Sequence, residues 1–382
     1  MRSPLVTVGA LILIAACSST PPPAQVMVTS VAAGSLHALA LKSDGSVWAW
    51  GSNENAQLGY PASYNLSKVP IAVPGLQSGV VAIAAGEDLS LALKRDGSVW
   101  AWGLGERGQL GDGTKPINRS TPERVSSLSG RFTSIAAGSE FALALRSDGT
   151  VWAWGDGVQG QLGNGVLADS DSAVQVVGLT HVTAIAAGAN HGLAVEADGS
   201  LWGWGDNSYR ELGMPTSANF QSTAVRVAGI GPVMAVAGGP FQTVVITRAG
   251  EVFGWGALFF GLGGQPGGPG EPFQVAGHWL SHPKQVQAAW GVDFALDSDG
   301  TVWAWGQNRT LLGTDSPWNQ PLEVPGLESG INSISAIKLT GYAITSKGHV
   351  LAWGDNSQGQ IGNGTQNWPE PGPSTPVGVN SF

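Results

Sequence analysis

The amino-acid sequence predicts an all-β fold, a seven-bladed β-propeller of four-stranded antiparallel blades, and three observations carry that prediction. The first is composition: 57 glycines and 16 tryptophans with only 12% charged residues suit tightly turned antiparallel sheet. The second is a phrase that recurs seven times. It reads DGSVWAWG at Asp44–Gly51 and Asp96–Gly103 and DGTVWAWG at Asp148–Gly155 and Asp299–Gly306, with altered copies at Asp198–Gly205, Ala249–Gly256 and Lys347–Gly354. Successive copies start 48 to 52 residues apart, a period that marks repeats of one unit. The third is that the phrase is apolar on both faces: Trp152 and Trp154 point to one side of a strand, Val151 and Ala153 to the other. Each small sheet therefore needs cover twice, and neighbours placed around a ring supply it while leaving only short edges.

Each repeat reads as four short strands. A small-residue strand such as Ser134–Gly138 fits a crowded ring axis, and after a turn comes an apolar strand such as Phe141–Leu145. Asp148-Gly149 then signals a two-residue hairpin, since both positions tolerate the positive φ of a type I′ turn. The third strand, Thr150–Trp154, alternates β-branched or small with aromatic residues. A glycine-rich loop ending Gln161-Leu162-Gly163 leads to an edge-like strand near Val174–Val177. Units five to seven depart from the pattern. Ala289 and Ile337 replace the glycine closing the first strand, Phe253 and Leu351 replace the first tryptophan, and Phe259-Phe260-Gly261-Leu262-Gly263 replaces Gly-Gln-Leu-Gly. The strand near Pro376–Val379 either completes its own blade or pairs with the first, and the sequence leaves both open.

Ahead of the repeats the chain reads as an export signal. Arg2 gives a positive start, Leu5–Ala16 is apolar but shorter than the ~20 residues that span a bilayer, and small residues close it. Leu13-Ile14-Ala15-Ala16-Cys17 resembles the lipobox of bacterial lipoproteins, which implies cleavage before Cys17 and lipidation of its thiol. Cys17 is the chain's one cysteine, and Ser18–Gln25 (SSTPPPAQ) has the composition of a semi-rigid tether. Several acyl chains at ~0.8 kcal/mol per buried CH₂ hold a protein on a membrane without a spanning segment. The expected organisation is a signal peptide over 1–16, a lipidated cysteine and tether over 17–25, and the propeller over 26–382. The expected place is the bacterial cell envelope, and the resemblance implies the outer membrane, through Ser18, where the source has two membranes.

Across the repeats, Ile-Ala-Ala-Gly, His-x-Leu-Ala-Leu, Asp-Gly-x-Val-Trp-x-Trp-Gly and Gly-Gln-Leu-Gly recur in that order from Val26 to about Val379. This pattern resembles the regulator of chromosome condensation repeat, which implies a seven-bladed ring acting as a monomeric binding module with no cofactor. Secreted bacterial propellers of the same repeat that inhibit β-lactamases are the nearest functional analogy, and they imply a protein partner. The eukaryotic namesake catalyses nucleotide exchange on a small GTPase, an activity at odds with export.

Candidate binding residues are those that vary within the constant frame, because loops on rigid scaffolds carry function. The turns between first and second strands read Ser35-Leu36, Glu87-Asp88, Ser139-Glu140, Ala189-Asn190, Pro240-Phe241, Trp290-Gly291 and Lys338-Leu339. The loops after the third strand, expected at the same end, add Tyr60, Tyr64, Arg107, Tyr209-Arg210-Glu211, Phe259-Phe260, Arg309 and Trp318. The candidate surface comprises Glu87, Asp88, Glu140, Phe141, Asn190, Tyr209, Arg210, Phe241, Phe259, Phe260 and Trp290, acidic on one arc and aromatic on the opposite one. Aromatic residues and arginine dominate protein-binding surfaces. Exposed Trp279, Trp290 and Trp318 also suit stacking on sugar rings, so glycan binding is the alternative.

Other classes are disfavoured. The net charge is −9 and the 18 Lys and Arg are scattered, whereas nucleic-acid binding needs a concentrated basic face. Glu87, Asp88 and Glu140 could form a carboxylate pair, yet no nucleophile with a base, phosphate loop or metal-ligand cluster accompanies them. The repeated Asp44, Asp96, Asp148, Asp198 and Asp299 read as hairpin residues, and His37 and His191, at one repeat position, as hydrogen-bonded structural residues rather than metal ligands.

Overall fold

A computed structural model describes residues 25–382 apart from 62–64, 115–116, 215–217, 258–270, 276–278, 307–308, 313–320 and 368–371. It is a ring of seven four-stranded antiparallel sheets, each using consecutive strands in chain order. Blade 1 is β1 (Val28–Ala33), β2 (His37–Lys42), β3 (Val47–Ser52) and β4 (Leu66–Ala72). The first strands of all seven blades line a central channel of about 330 Å³. Its wall is mostly small residues such as Ala32, Ala84 and Ala137, with Gln285, Gln287, Ser333 and Ser335 on one arc. Turns between first and second strands and the long loops after third strands occupy one end, the loop end. The hairpins joining second and third strands occupy the other.

The doubly apolar sheets are covered as the pattern predicts. Leu39, Val47 and Ala49 on one face of blade 1 cluster with Ala92 and Trp102 of blade 2, and the same contact repeats around the ring. The second tryptophan of the phrase is the bolt. Trp50, Trp102, Trp154, Trp204, Trp255 and Trp353 are buried, and each indole N–H donates to a loop carbonyl of the preceding blade: Gln360, Gln57, Gln109, Gln161, Glu211 and Leu311, at 2.8–3.0 Å. The first tryptophan is only half-buried: Lys42, Lys94 and Arg146 lie over Trp48, Trp100 and Trp152, the closest at 3.7 Å.

Two expectations need revision or completion. The hairpin is not a type I′ turn. In blade 1 the loop is Ser43-Asp44-Gly45, with Lys42 N–H donating to Ser46 O and only Gly45 at positive φ (81°). Asp44 keeps an ordinary φ because its carboxylate accepts the Ser46 N–H at 2.9 Å, the pattern of a three-residue loop with a left-handed glycine. Ring closure, left open by the sequence, is resolved: Val377–Gly378 pairs with the third strand of its own blade, so no strand is exchanged. The seam is sealed by side chains and turns, among them Trp50 to Gln360 O, Gly364 N to Lys68 O, and Phe382 edge-on to Trp48 and Trp50 at 5.8–6.0 Å.

Candidate functional site

The loop end is assembled around the axis by backbone hydrogen bonds between successive turns. Ser35 N donates to Gly86 O, Glu87 N to Ser139 O, Ser139 N to Ala189 O, Ala189 N to Gly239 O, and Trp290 N to Lys338 O, at 2.8–3.2 Å. The glycine ending the first strand makes this approach possible. A Cβ on Gly86 would sit 2.2 Å from Gly138 O, an impossible contact. The variable residue of each turn is thereby fixed beside its neighbours rather than left on a free loop.

Blades 1 to 3 carry the acidic arc. Glu87 is ion-paired with Lys338 of blade 7. Asp88 accepts Gln57 Nε2 at 2.7 Å and Asn55 Nδ2 at 3.0 Å, and its partial burial pushes its pKa up. Glu140 is also raised, chiefly by burial and then by Asp156, while Arg107 bridges Glu140 at 3.6 Å and Asp169 at 3.5 Å. Lys338 and Arg107 therefore neutralise part of the arc, which the sequence reading did not foresee because Asp169 and Lys338 lie far from it in sequence. On blades 4 to 6, Tyr209 (47% exposed) stacks on Phe241 with ring centroids 4.5 Å apart, and Trp290 is 43% exposed. Asn190 and Arg210 are half-buried beside them, Arg210 at a left-handed φ of 67°.

The structure thus brings Glu87, Asp88, Glu140, Asn190, Tyr209, Arg210, Phe241 and Trp290 to one end. Phe141 is a correction. It begins the second strand of blade 3 and is fully buried among Leu143, Val151, Val176 and Trp204. The strand starts where the sequence places it, and its first side chain points between blades rather than out of the loop end. Cys17, Tyr64, Phe259, Phe260 and Trp318, and the side chain of Arg309, lie outside the described residues.

The position of Phe141 is also that of His37 and His191, and both are inter-blade residues. His37 Nε2 meets Ser90 Oγ at 2.9 Å and His191 Nε2 meets Thr243 Oγ1 at 3.1 Å, each in the next blade. Burial depresses their pKa values to about 3 and about 4. The folded histidines stay neutral down to those values, so the stability they contribute is fully present above the unfolded value of 6.5 and declines as pH falls from there toward them. His37→Leu, the residue of blade 2 at this position (Leu89), should therefore gain about 2 kcal/mol over wild type at pH 5 and little at pH 7. Acid titrations followed by tryptophan fluorescence check this. No group of three or more metal-ligating side chains is found among the described residues.

An end where unlike turns are locked side by side on a rigid sevenfold frame defines a propeller interaction module. The chain belongs to the family of the RCC1-like domain, whose model matches residues 9–311. It is 31% identical over 286 residues to the ultraviolet-B receptor UVR8 of Arabidopsis thaliana, covering 74% of this chain and 53% of the receptor. It is 36% identical over 143 residues to the human E3 ubiquitin-protein ligase HERC2, covering 37% of this chain and 3% of the ligase. The chain thus spans about half or less of these relatives. Among solved structures, Prp20p from Saccharomyces cerevisiae superposes with a TM-score of 0.71 at 24% identity, covering 85% of this chain and 82% of that one. Human WBSCR16 gives 0.70 at 23% identity, covering 81% and 84%. At such identities these likenesses speak for the fold alone.

Proposed function

We propose that this RCC1-like propeller is a non-catalytic, lipid-anchored protein of the bacterial envelope that binds another protein through its loop end. The observation that carries the reading is the union, on one end, of a partly neutralised acidic arc with exposed Tyr209 and Trp290 and half-buried Phe241 on hydrogen-bonded turns. Such aromatic anchors beside charged residues are what protein interfaces use. Propellers of this kind do bind proteins: Prp20p is described by its binding to Gsp1p and histones, and yeast RCC1 by its complex with Kap60. The anchor rests on the lipobox-like Leu13–Cys17 and the tether after it. No helix among the described residues is long and apolar enough to cross a membrane.

Cross-linking on intact envelopes tests the binding. Wild type should capture a discrete protein, Tyr209→Ala with Glu87→Lys should lose it, and the hairpin-end control Asp148→Lys should keep it. Capture by all three, or by none, removes the reading. Cys17→Ala should release the protein to the soluble fraction, and membrane retention would remove the anchor. A glycan reading rests on exposed Trp290 and Trp279 (43% and 42% exposed), and tryptophan quenching by envelope polysaccharide in the absence of captured protein would favour it.

A further inference from the structure

One position of the loop end breaks an internal rule in a way that has a chemical consequence. In blades 1, 3 and 7 the glutamine of Gly-Gln-Leu-Gly uses both ends of its amide. Its oxygen accepts the N–H two residues before it, at 2.8–2.9 Å. Its nitrogen donates to the aspartate that follows the third strand in blades 3 and 7, Gln161 to Asp156 at 2.8 Å and Gln360 to Asp355 at 2.9 Å, while in blade 1, which has Ser52 there, Gln57 donates to Asp88 of the next blade's turn at 2.7 Å. In blade 2 the residue matching Asp156 is Leu104, and there the buried Gln109 Nε2 has no partner, so the aspartate is what satisfies the amide. Blade 4 keeps the aspartate, Asp206, and replaces the glutamine with Glu211.

Glu211 Oε2 still accepts the Tyr209 N–H, at 2.8 Å. Its other oxygen takes the place of an amide nitrogen that donates to the aspartate in the sister blades. Glu211 is 1% exposed and Asp206 6% exposed, and Asp206 Oδ1 already accepts both Ser208 N (3.0 Å) and Ser208 Oγ (2.6 Å). Two carboxylates cannot reproduce the donor-to-acceptor contact, whereas a carboxylic acid and a carboxylate can. We infer that Glu211 carries a proton and donates it to the Asp206 carboxylate, and that this proton latches the loop bearing Tyr209 and Arg210.

The surroundings favour it. Burial raises the Glu211 pKa to about 7, with Asp206 adding to the rise and the backbone N–H groups of Glu211 and Tyr209, and then Arg210, opposing it. Among the described residues, the groups of the neighbouring blade that meet Glu211 are neutral: Thr243 Oγ1 and Trp255 Nε1 both donate to Glu211 O, and His191, held neutral, meets Thr243. The closed loop binds the proton more tightly than an open loop with an ordinary glutamate, so closure weakens as pH rises from about 4.5 to about 7 and then levels off. Tyr209, stacked on Phe241, is freed with the loop. The latch stands whatever the loop binds, while its effect on a partner rests on the loop-end reading above.

Hydrogen exchange on the full chain tests the latch, with blade 7's loop at 355–362 as internal reference. Relative protection of residues 206–213 should fall roughly tenfold to a hundredfold between pH 5 and pH 7 and stay level to pH 8. Glu211→Gln, which restores the sister-blade amide, should abolish that dependence. A wild-type loop that tracks the reference throughout, or a Glu211→Gln loop that keeps the wild-type dependence, overturns the inference. Should Glu211→Gln not fold, ¹³C-carboxyl titration of glutamate-labelled wild type decides: one glutamate titrating near 7 supports the latch, and all titrating below 5.5 overturns it.

Discussion

Trp154→Ala is expected to lower the stability of the ring by about 5 kcal/mol, more than the same change at Trp102 or Trp255. All three indoles are buried, and their removal leaves a cavity between blades, a loss of ~3–5 kcal/mol for tryptophan. The sites differ in what happens to the carbonyl each indole served. Gln57 O also receives Ser90 Oγ at 2.7 Å, and Glu211 O receives Thr243 Oγ1 at 2.8 Å. Blade 3 has Ala142 at that position, so Gln109 O keeps no donor once Trp154 is gone. A buried carbonyl left unpaired costs ~1–3 kcal/mol. Urea unfolding of the three variants should therefore rank Trp154→Ala lowest by about 1–2 kcal/mol, and equal losses would show that the shared carbonyl does not matter.

Asp293→Asn should act in the opposite direction. Asp293 takes the place of Ser90 and Thr243 in blade 6 and is fully buried. Gln242 Nε2 reaches Oδ1 at 3.2 Å, and Oδ2 has no partner among the described residues. Burial raises its pKa to about 7, opposed by Gln242 and then by the Trp305 indole. An acid whose folded pKa lies above its unfolded value of 3.8 takes up protons on folding, so its contribution declines as pH rises from about 4 to about 7 and is flat beyond. Asparagine keeps an acceptor for Gln242 and carries no charge to bury. The variant should gain about 2–4 kcal/mol at pH 8 and almost nothing at pH 4. Denaturant midpoints at the two pH values check it, and a gain of the same size at both would mean that packing rather than ionisation is responsible. With His37 and His191 losing stability below pH 6.5, the ring is squeezed from both sides toward a mildly acidic optimum.

The architecture could be read from the sequence because its cause is periodic. Seven copies of a two-sided apolar strand pair leave one arrangement that covers every face, and the tryptophans mark where the covers meet. The turn type was misjudged because Asp-Gly permits positive φ at both positions but does not impose it, and the Asp44 side chain to Ser46 N bond settles the matter locally. Phe141 opens the second strand as the sequence reads, but beside a turn the sequence does not say which way a side chain faces, and a single step exchanges surface for core. The ion pairs of Lys338 with Glu87 and of Arg107 with Asp169 were invisible because they join different blades. Glu211 was legible in principle. A glutamate where four sister units hold glutamine is a visible exception, but its meaning needed the geometry of the amides it replaces.

The way the chain enters the ring fixes a direction. Met27 O accepts Ser43 N at 2.8 Å, and a side chain on Gly348 would meet Met27, so the polypeptide joins the first blade beside the hairpins of blades 1 and 7. The lipid anchor proposed above would therefore attach on the side opposite Glu87, Tyr209 and Trp290 and leave that patterned end facing away from the membrane.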